Sequence, residues 1–407
     1  MSLKFLTLDD VEVDSKKVLV RVDINSPMKP GTDQILDDSR IVAILDTLKD
    51  LEKARVAILS HQGRPGEADF TSMKSHAQAL KKYLGNRLKF VEDIIGPTAL
   101  EAIQKLKNGD VLLLDNARFL SEEIMEGTPE LFAKTHLVKR LSPLFDLFVN
   151  DAYPAAHRAQ ASMVGFPEVL PSAAGRSMER ELKALNRVLY EPDRPSVVVL
   201  GGAKVSDKIK ILSSILERKK VDKVLLAGLM AIVFLEASGV SLGESSRGNL
   251  KDFESLKKQA KDLLEKYRDI IMLPKDVAVA IEQKRVEVRV DRMPKDATVM
   301  DIGENTIKEY VDIIAKAKTI LANGPAGVFE NRNFSKGTQE ILEAIAQSKG
   351  FSVIGGGHLA VLAKEENLDK SMGYVSTGGG ATMAMLAGQK LPGLEALYRA
   401  VKRTKQE

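Results

Sequence analysis

Short runs of four or five apolar residues alternate along most of the chain with longer stretches in which apolar positions recur every third or fourth residue. VLVRV at 18–22, VAILS at 56–60, LKFV at 88–91, VLLL at 111–114 and LFVN at 147–150 form a first series. VVVL at 197–200, VLLA at 224–227, IIML at 270–273, TILA at 319–322, FSVI at 351–354 and YVS at 374–376 form a second. The runs are apolar on both faces, rich in branched side chains and closed by Gly, Asn, Asp or His, as expected for parallel strands covered by helices on each side. Between them, RIVAILDTLKDLEKA and VSDKIKILSSILERKK place apolar residues at i, i+3 or i+4, and i+7, the period of an amphipathic helix. The pattern predicts an α/β protein of two doubly wound lobes with parallel sheets. A polar, helix-forming stretch between Pro171 and Pro195 carries no strand signal and predicts a connecting helix at about 177–190. No internal repeat is visible.

Length and composition narrow the class. At roughly 100–200 residues per domain, 407 residues suit two or three domains, and 44% hydrophobic with 29% charged residues excludes a disordered chain. Lys plus Arg (60) against Asp plus Glu (56) leaves +4, and the charges are interspersed, so no tail or stripe points to nucleic acid. The absence of cysteine removes disulfides, thiolate zinc sites and Cys nucleophiles together. The longest apolar run, VLLAGLMAIVFL at 224–235, is short of the roughly 20 residues that span a bilayer and reads as a buried strand and helix start. The first fifteen residues carry acids before any long apolar stretch, and the expectation is a cytoplasmic protein without membrane or nucleic-acid partners.

In open parallel sheets ligands bind beyond the carboxyl ends of the strands, so the residues just after each run matter most. In the first half these are Arg21, Asp23 and Asn25, then His61 and Arg64, then Arg118, then Asp151, His157 and Arg158. Guanidinium forks converging on one cleft suit a small, highly anionic ligand, because Arg binds carboxylate and phosphate bidentately and stays charged. Surface salt bridges are the plain alternative for any single Arg. His61 and His157 suit base, metal-ligand or hydrogen-bonding roles, and no partners at metal spacing favour the second.

In the second half the strand ends are glycine-rich: GGAK at 201–204, AGLM at 227–230, NGPAG at 323–327, GGGH at 355–358 and STGGGA at 376–381. Glycine lets backbone approach a ligand, and the first amides of a following helix bind phosphate oxygens. These ends supply Gly202, Gly228, Asn323, Pro325, Gly355, Gly356, Gly357, His358, Thr377, Gly378, Gly379 and Gly380 to a candidate polyphosphate cradle. Lys204 and Lys208 lie four apart at a helix start and are expected on one face, Lys204 toward phosphate; a solvated helix edge explains Lys208 easily. There is no GxxxxGK[ST], no GxGxxG with a following acid, no HExxH and no GxSxG.

Taken in order, RVDINSP, LDDSRIVA, SHQGRP, NARF with two acids following, NDAYPAAHRAQASMVGF, LGGAKVSDK, DIGENTI, ANGPAGVFE, IGGGH and STGGGA resemble the phosphoglycerate kinase family over nearly the whole chain, and its archaeal branch in particular. The resemblance implies two Rossmann-like lobes: residues 1–172 with about 390–407 returning, for 3-phosphoglycerate or 1,3-bisphosphoglycerate, and 193–389 for ADP or ATP, joined by a connecting helix and hinge at 173–192. It implies that Asp23, Asn25, His61, Arg64, Arg118 and Arg158 hold the glycerate, with Arg40 reaching the group in transfer. Lys204, Lys208, Asn323, Glu330 and the glycines of 355–357 and 378–380 hold the nucleotide. It also implies a magnesium ion, a monomer or homodimer, and a phosphotransferase of glycolysis and gluconeogenesis. Toward 1,3-bisphosphoglycerate the nucleophile is the substrate's own carboxylate, so no general base is needed and Asp23 is a positioner. Arg40, Lys204, Lys208 and amides near Gly357 and Gly380 are then the groups to compensate charge in transfer, and lobe closure is expected to expel water.

Three departures stand out. His358 and Leu359 replace the family's Asp-Thr, which leaves the protein ligand of magnesium unknown. Ala227, Gly228 and Leu229 replace a triple glycine, and PAAHR replaces GTAHR. His358 is the best support for the competing expectation, a two-lobed nucleotide-binding regulatory protein with weakened turnover. The basic C-terminal VKRTK reads as a solvated helix end.

Overall fold

The computed structural model describes residues 5–242, 244–248, 250–282, 284–294 and 297–404. The chain forms two compact units, Met1–Leu182 with Lys390–Glu407, and Lys183–Gln389.

In the first unit seven strands form one sheet: β1 (Leu6–Thr7), β2 (Lys17–Val22), β3 (Arg55–Leu59), β4 (Leu88–Phe90), β5 (Val111–Leu113), β6 (Leu147–Asp151) and β7 (Ser172–Ala174), in the order β1-β7-β6-β2-β3-β5-β4. All six pairings are parallel. Val18, Val20, Val56, Ile58, Val111 and Leu113 on one face pack with Ile41, Leu48, Met73 and Leu80 from the helices that cover it. Leu19 and Phe148 are equally buried, and Phe148 stacks on Phe166 at 5.4 Å. Each such side chain contributes about 1.5–3 kcal/mol when fully withdrawn from water, which is why runs apolar on both faces form these strands.

Three details differ from expectation. RIVAILDTLKDLEKA is two helical pieces, Ser39–Ala43 and Leu45–Asp50, meeting at Ile44. The stretch after Pro171 contains β7 before the helix Arg176–Tyr190. Ser172, Ala173 and Ala174 are too small to signal a strand; pairing with β6 on one side and β1 on the other makes them one. The basic C-terminal helix, Pro392–Thr404, is anchored: Arg403 donates to the Pro167 and Leu170 carbonyls at 2.6 and 2.8 Å, and Arg399 to Glu168 at 2.7 Å. Those carbonyls lie beyond the reach of local sequence. Lys405 falls outside the described residues.

The second unit has a parallel sheet of β8 (Ser196–Leu200), β9 (Lys223–Leu226), β10 (Ile271–Met272), β14 (Thr319–Asn323), β15 (Phe351–Gly355) and β16 (Tyr374–Val375), ordered β10-β9-β8-β14-β15-β16. VLLAGLMAIVFL divides as expected into β9 and the helix Gly228–Ala237. The expectation of parallel sheets alone missed a second, antiparallel sheet of β11 (Asp276–Ile281), β12 (Lys284–Arg289) and β13 (Thr298–Ile302), ordered β12-β11-β13. KRVEVR is mostly polar because β12 is an edge strand with one solvated face, a pattern that lacks the continuous apolar run used to find strands.

Candidate active site

Because the strands of the first sheet are parallel, their carboxyl ends share one edge, and β6, β2, β3 and β5 are consecutive there. This brings Asp23, Asn25, His61, Arg64, Arg118, His157 and Arg158 to one place. Arg21, a strand-end residue not carried forward as a site residue, organises them. It is fully buried, with Nε donating to Ser162 Oγ at 2.7 Å, Nη1 to the Val22 carbonyl, and Nη2 2.9 Å from His61 Nδ1. Glu123 Oε1 lies 3.7 Å from the same Nη2 and accepts from Ser162 Oγ at 2.6 Å. A guanidinium has no acceptor, so His61 Nδ1 must accept and the ring proton sits on Nε2. Burial, and then the Arg21 charge, hold the His61 pKa well below 6.5. The ring is therefore a neutral donor at physiological pH.

Burial disfavours the Asp23 carboxylate, while His61, Arg40, Arg21 and the Asn25 amide favour it, and the balance lies below the usual carboxylate range. Arg40 Nη1 donates to Asp23 Oδ1 at 2.8 Å, so Asp23 holds Arg40. Asn25 Oδ1 accepts from the Gly63 amide at 3.1 Å. Arg118, nearly buried, donates through Nη1 to the Gly63 carbonyl and leaves Nε without a partner. Burial and then the charges of Arg158 and Arg21 push its pKa down to about 10. Arg158, whose Nε donates to His157 Nε2 at 3.3 Å, is likewise lowered by burial and then by Arg64. Among the described residues Arg64, Arg118 and Arg158 form no salt bridge. The burial and neighbouring positive charge that lower Arg118 and Arg158 would be relieved by a small polyanion.

In the second unit the ends of β9, β8, β14, β15 and β16 are likewise consecutive and parallel. The Gly202 amide donates to the Pro325 carbonyl at 2.7 Å and the Gly228 amide to that of Ala326 at 2.9 Å, closing three strand-end turns on one another. Gly228 requires its residue type: φ is +56°, and a Cβ there would lie 2.6 Å from the Gly202 nitrogen. Gly356, at φ +98°, starts the helix Gly357–Glu365, and Gly379 starts the helix Gly380–Leu386. Gly357, His358, Thr377, Gly379, Gly380 and Glu330 are exposed, whereas Gly355 and Gly378 are buried. Asn323 is buried with its amide nitrogen unpartnered, and a Cβ on Gly355 would come within 3.1 Å of it.

The two lysines do not share an environment. Lys204 is exposed at the start of the helix Val205–Glu217, while Lys208 is buried, Nζ donating to the Gly201 carbonyl and, at 3.0 Å, to that of Asn323. The solvated-edge account of Lys208 is thus corrected: one turn into the helix, its stem lies under the β8 and β14 ends. Burial, then the nearby Lys204 charge, lower its pKa to about 8.

A model of the phosphoglycerate kinase family matches residues 8–389. The chain belongs to that family. Curated phosphoglycerate kinases from the archaea Methanothermus fervidus and Methanothermobacter thermautotrophicus are each 48% identical to it, over 405 residues (98% of both chains) and 401 residues (98% of this chain, 97% of the relative). The crystal structure of phosphoglycerate kinase from Pyrococcus horikoshii OT3 matches with TM-score 0.85 and 40% identity, over 98% of this chain and 99% of that one. The structure of phosphoglycerate kinase from Coxiella burnetii matches with TM-score 0.84 and 36% identity, covering 97% and 99%. No helix among the described residues is long and apolar enough to cross a membrane.

His358 is exposed, its ring centroid 5.2 Å from that of Phe329. Among the described residues no group of three or more His, Asp or Glu side chains is placed to hold a metal ion. The donors at this edge are amides and ammonium groups, which do not fit a protein-built cage for a hard cation.

Proposed function

We propose that the basic edge of the first unit binds 3-phosphoglycerate or 1,3-bisphosphoglycerate, and the glycine-lined edge of the second binds ADP or ATP. The reaction is that of the family: a phosphoryl group moves reversibly between the acyl phosphate of 1,3-bisphosphoglycerate and ADP, giving 3-phosphoglycerate and ATP. The observation that carries the site assignment is the cluster of Arg64, Arg118 and Arg158, without a carboxylate partner among the described residues, in which burial and neighbouring guanidinium groups lower Arg118 and Arg158. A glycerate carboxylate and phosphate supply the missing anions, with His61 Nε2–H as a neutral donor and Asn25 alongside.

On the nucleotide side, Lys204 and Lys208 face the polyphosphate, the Asn323 amide gains an acceptor, and Glu330, Pro325, His358 and Thr377 border the bound nucleotide. The glycine turns at 355–357 and 378–380 offer helix-start amides. The acceptor carboxylate is already ionised, so catalysis consists of in-line positioning and compensation of charge on the moving phosphoryl oxygens. Arg40, Lys204, and amides near Gly357 and Gly380 fill that role, and closure of the units brings the two ligands together. Magnesium would be carried by the nucleotide's phosphates and water, with no ligand cage from the described residues. On this proposal the protein works in glycolysis or gluconeogenesis, in the cytoplasm, as a monomer or homodimer.

A crossed binding experiment tests the assignment. By isothermal titration, Arg64→Ala is expected to weaken 3-phosphoglycerate at least tenfold and leave ADP unchanged, and Lys204→Ala to do the reverse. Loss of both ligands in either variant refutes it.

A further inference from the structure

Gln62 lies between two proposed substrate contacts, His61 and Arg64, yet its side chain points into the fold and is fully buried. Its amide is completely used. Oε1 accepts from the Ser26 backbone amide at 3.0 Å and lies 3.0 Å from His76 Nε2. Nε2 donates to the Ser26 carbonyl and to Asp69 Oδ2, both at 3.2 Å. Pairing with both the N–H and C=O of one peptide residue makes the side chain act like a rung of a β-ladder and fixes which end of the amide is oxygen. Its backbone is tied as firmly to the next loop: the amide donates to Asn116 Oδ1 at 3.2 Å, and the carbonyl accepts from Asn116 Nδ2 at 2.8 Å.

One residue therefore joins the loops that follow β2, β3 and β5. The first carries Asp23 and Asn25, the second His61 and Arg64, the third Arg118, whose Nη1 donates to the Gly63 carbonyl. The fourth contact, Asp69, fastens the loop that folds back over Gly63, where φ is +62° and a Cβ would lie 2.6 Å from the Asp69 backbone. We propose that Gln62 is a positioning residue for the acceptor site, setting the spacing of three substrate-bearing loops without touching substrate. This inference rests on the assignment of those loops to 3-phosphoglycerate.

The groups facing the amide are Asp69, His76 and, beyond Gly63, Arg118. Burial lowers the His76 pKa to about 4, so the ring is neutral between pH 6 and 8. Gln62→Glu then has a distinctive consequence. The introduced carboxyl group, when ionised, keeps the Ser26 amide and His76 but turns an acceptor toward the Ser26 carbonyl and Asp69; protonated, it regains a donor.

The test is 3-phosphoglycerate and ADP binding by titration calorimetry with thermal unfolding, for wild type, Gln62→Leu, Gln62→Glu and Arg64→Ala. Gln62→Leu is expected to weaken 3-phosphoglycerate about tenfold, in line with net loss of one or two hydrogen bonds that order the site, and to leave ADP affinity within twofold. Gln62→Glu, whose ionised carboxylate turns an acceptor toward the Ser26 carbonyl and Asp69, is expected to weaken it about tenfold. A folded Gln62→Leu with unchanged 3-phosphoglycerate affinity overturns the proposal, as does Gln62→Glu that binds 3-phosphoglycerate as tightly as wild type, which alone decides if Gln62→Leu does not fold. Failure of wild type to bind 3-phosphoglycerate, or equal binding by Arg64→Ala, overturns instead the site assignment on which the proposal rests.

Discussion

Lys208 holds a positive charge where the fold alone has no use for one. Its ammonium is buried, has two backbone carbonyls for partners, and shows no salt bridge to a carboxylate among the described residues. Lowering its pKa from 10.5 to about 8 corresponds to about 3 kcal/mol against the charged form, at about 1.4 kcal/mol per tenfold change. The two carbonyl hydrogen bonds offset this by about 1 kcal/mol each, which leaves a net cost of about 1 kcal/mol in the free protein. Lys208→Met, which keeps the stem, should therefore unfold at pH 7 with a stability within about 1 kcal/mol of wild type, or slightly above it. Removing one member of a buried ion pair would instead cost about 3–5 kcal/mol.

The pH dependence follows from the same depression. Between pH 8 and 10.5 the unfolded chain carries the Lys208 proton and the folded chain does not, so stability from this group rises with pH across that window. Below pH 8 both states are protonated and the burial cost is fully present. Lys208→Met should lack the rise. A polyphosphate should restore the charge, so ADP binding at pH 8 should take up about half a proton in wild type and none in Lys208→Met. Urea unfolding at pH 7 and 9.5, with calorimetry in buffers of different ionisation enthalpy, reads both effects. A Lys208→Met variant destabilised by 3 kcal/mol or more, or wild-type ADP binding without proton uptake, would refute the reasoning and make Lys208 a structural clamp.

Two further outcomes are expected. Arg40→Ala should lower kcat about 10²–10³-fold while the KM for ATP stays within threefold, since its guanidinium acts on charge that develops in transfer; the assay couples 1,3-bisphosphoglycerate formation to NADH oxidation, and equal losses in kcat and nucleotide affinity would put Arg40 in the wrong role. Arg21→Met should cost about 3 kcal/mol in urea unfolding, because it leaves Glu123 buried without its cation, and should raise the His61 pKa by removing the charge that depresses it. Proton NMR across pH 5–8 follows that shift among the five histidines, and an unmoved His61 would count against the Arg21 contact.

Residues such as Val18, Val20, Val197 and Val199 were legible in the sequence because a strand buried on both faces needs a continuous apolar run, and the site candidates were legible because parallel strands end on one edge. Arg64, Arg118, Arg158, Asn323 and Gly356 could therefore be named from position along the chain alone. What the chain's linear pattern leaves out is what residues far apart in it do to each other. Ser172–Ala174 becomes a strand only because β6 and β1 flank it, and Lys284–Arg289 only because it pairs with β11. Lys204 and Lys208 look alike in sequence, yet one is exposed and the other lies beneath two strand ends. The hydrogen-bond partners of Gln62 include residues 36 and 54 positions away, and those of Arg21 include residues 40 and 141 away. Hydrophobic periodicity is a property of neighbours and is written locally, whereas desolvation and hydrogen bonding of a buried polar group depend on whatever the fold packs around it, and only the tertiary structure decides that.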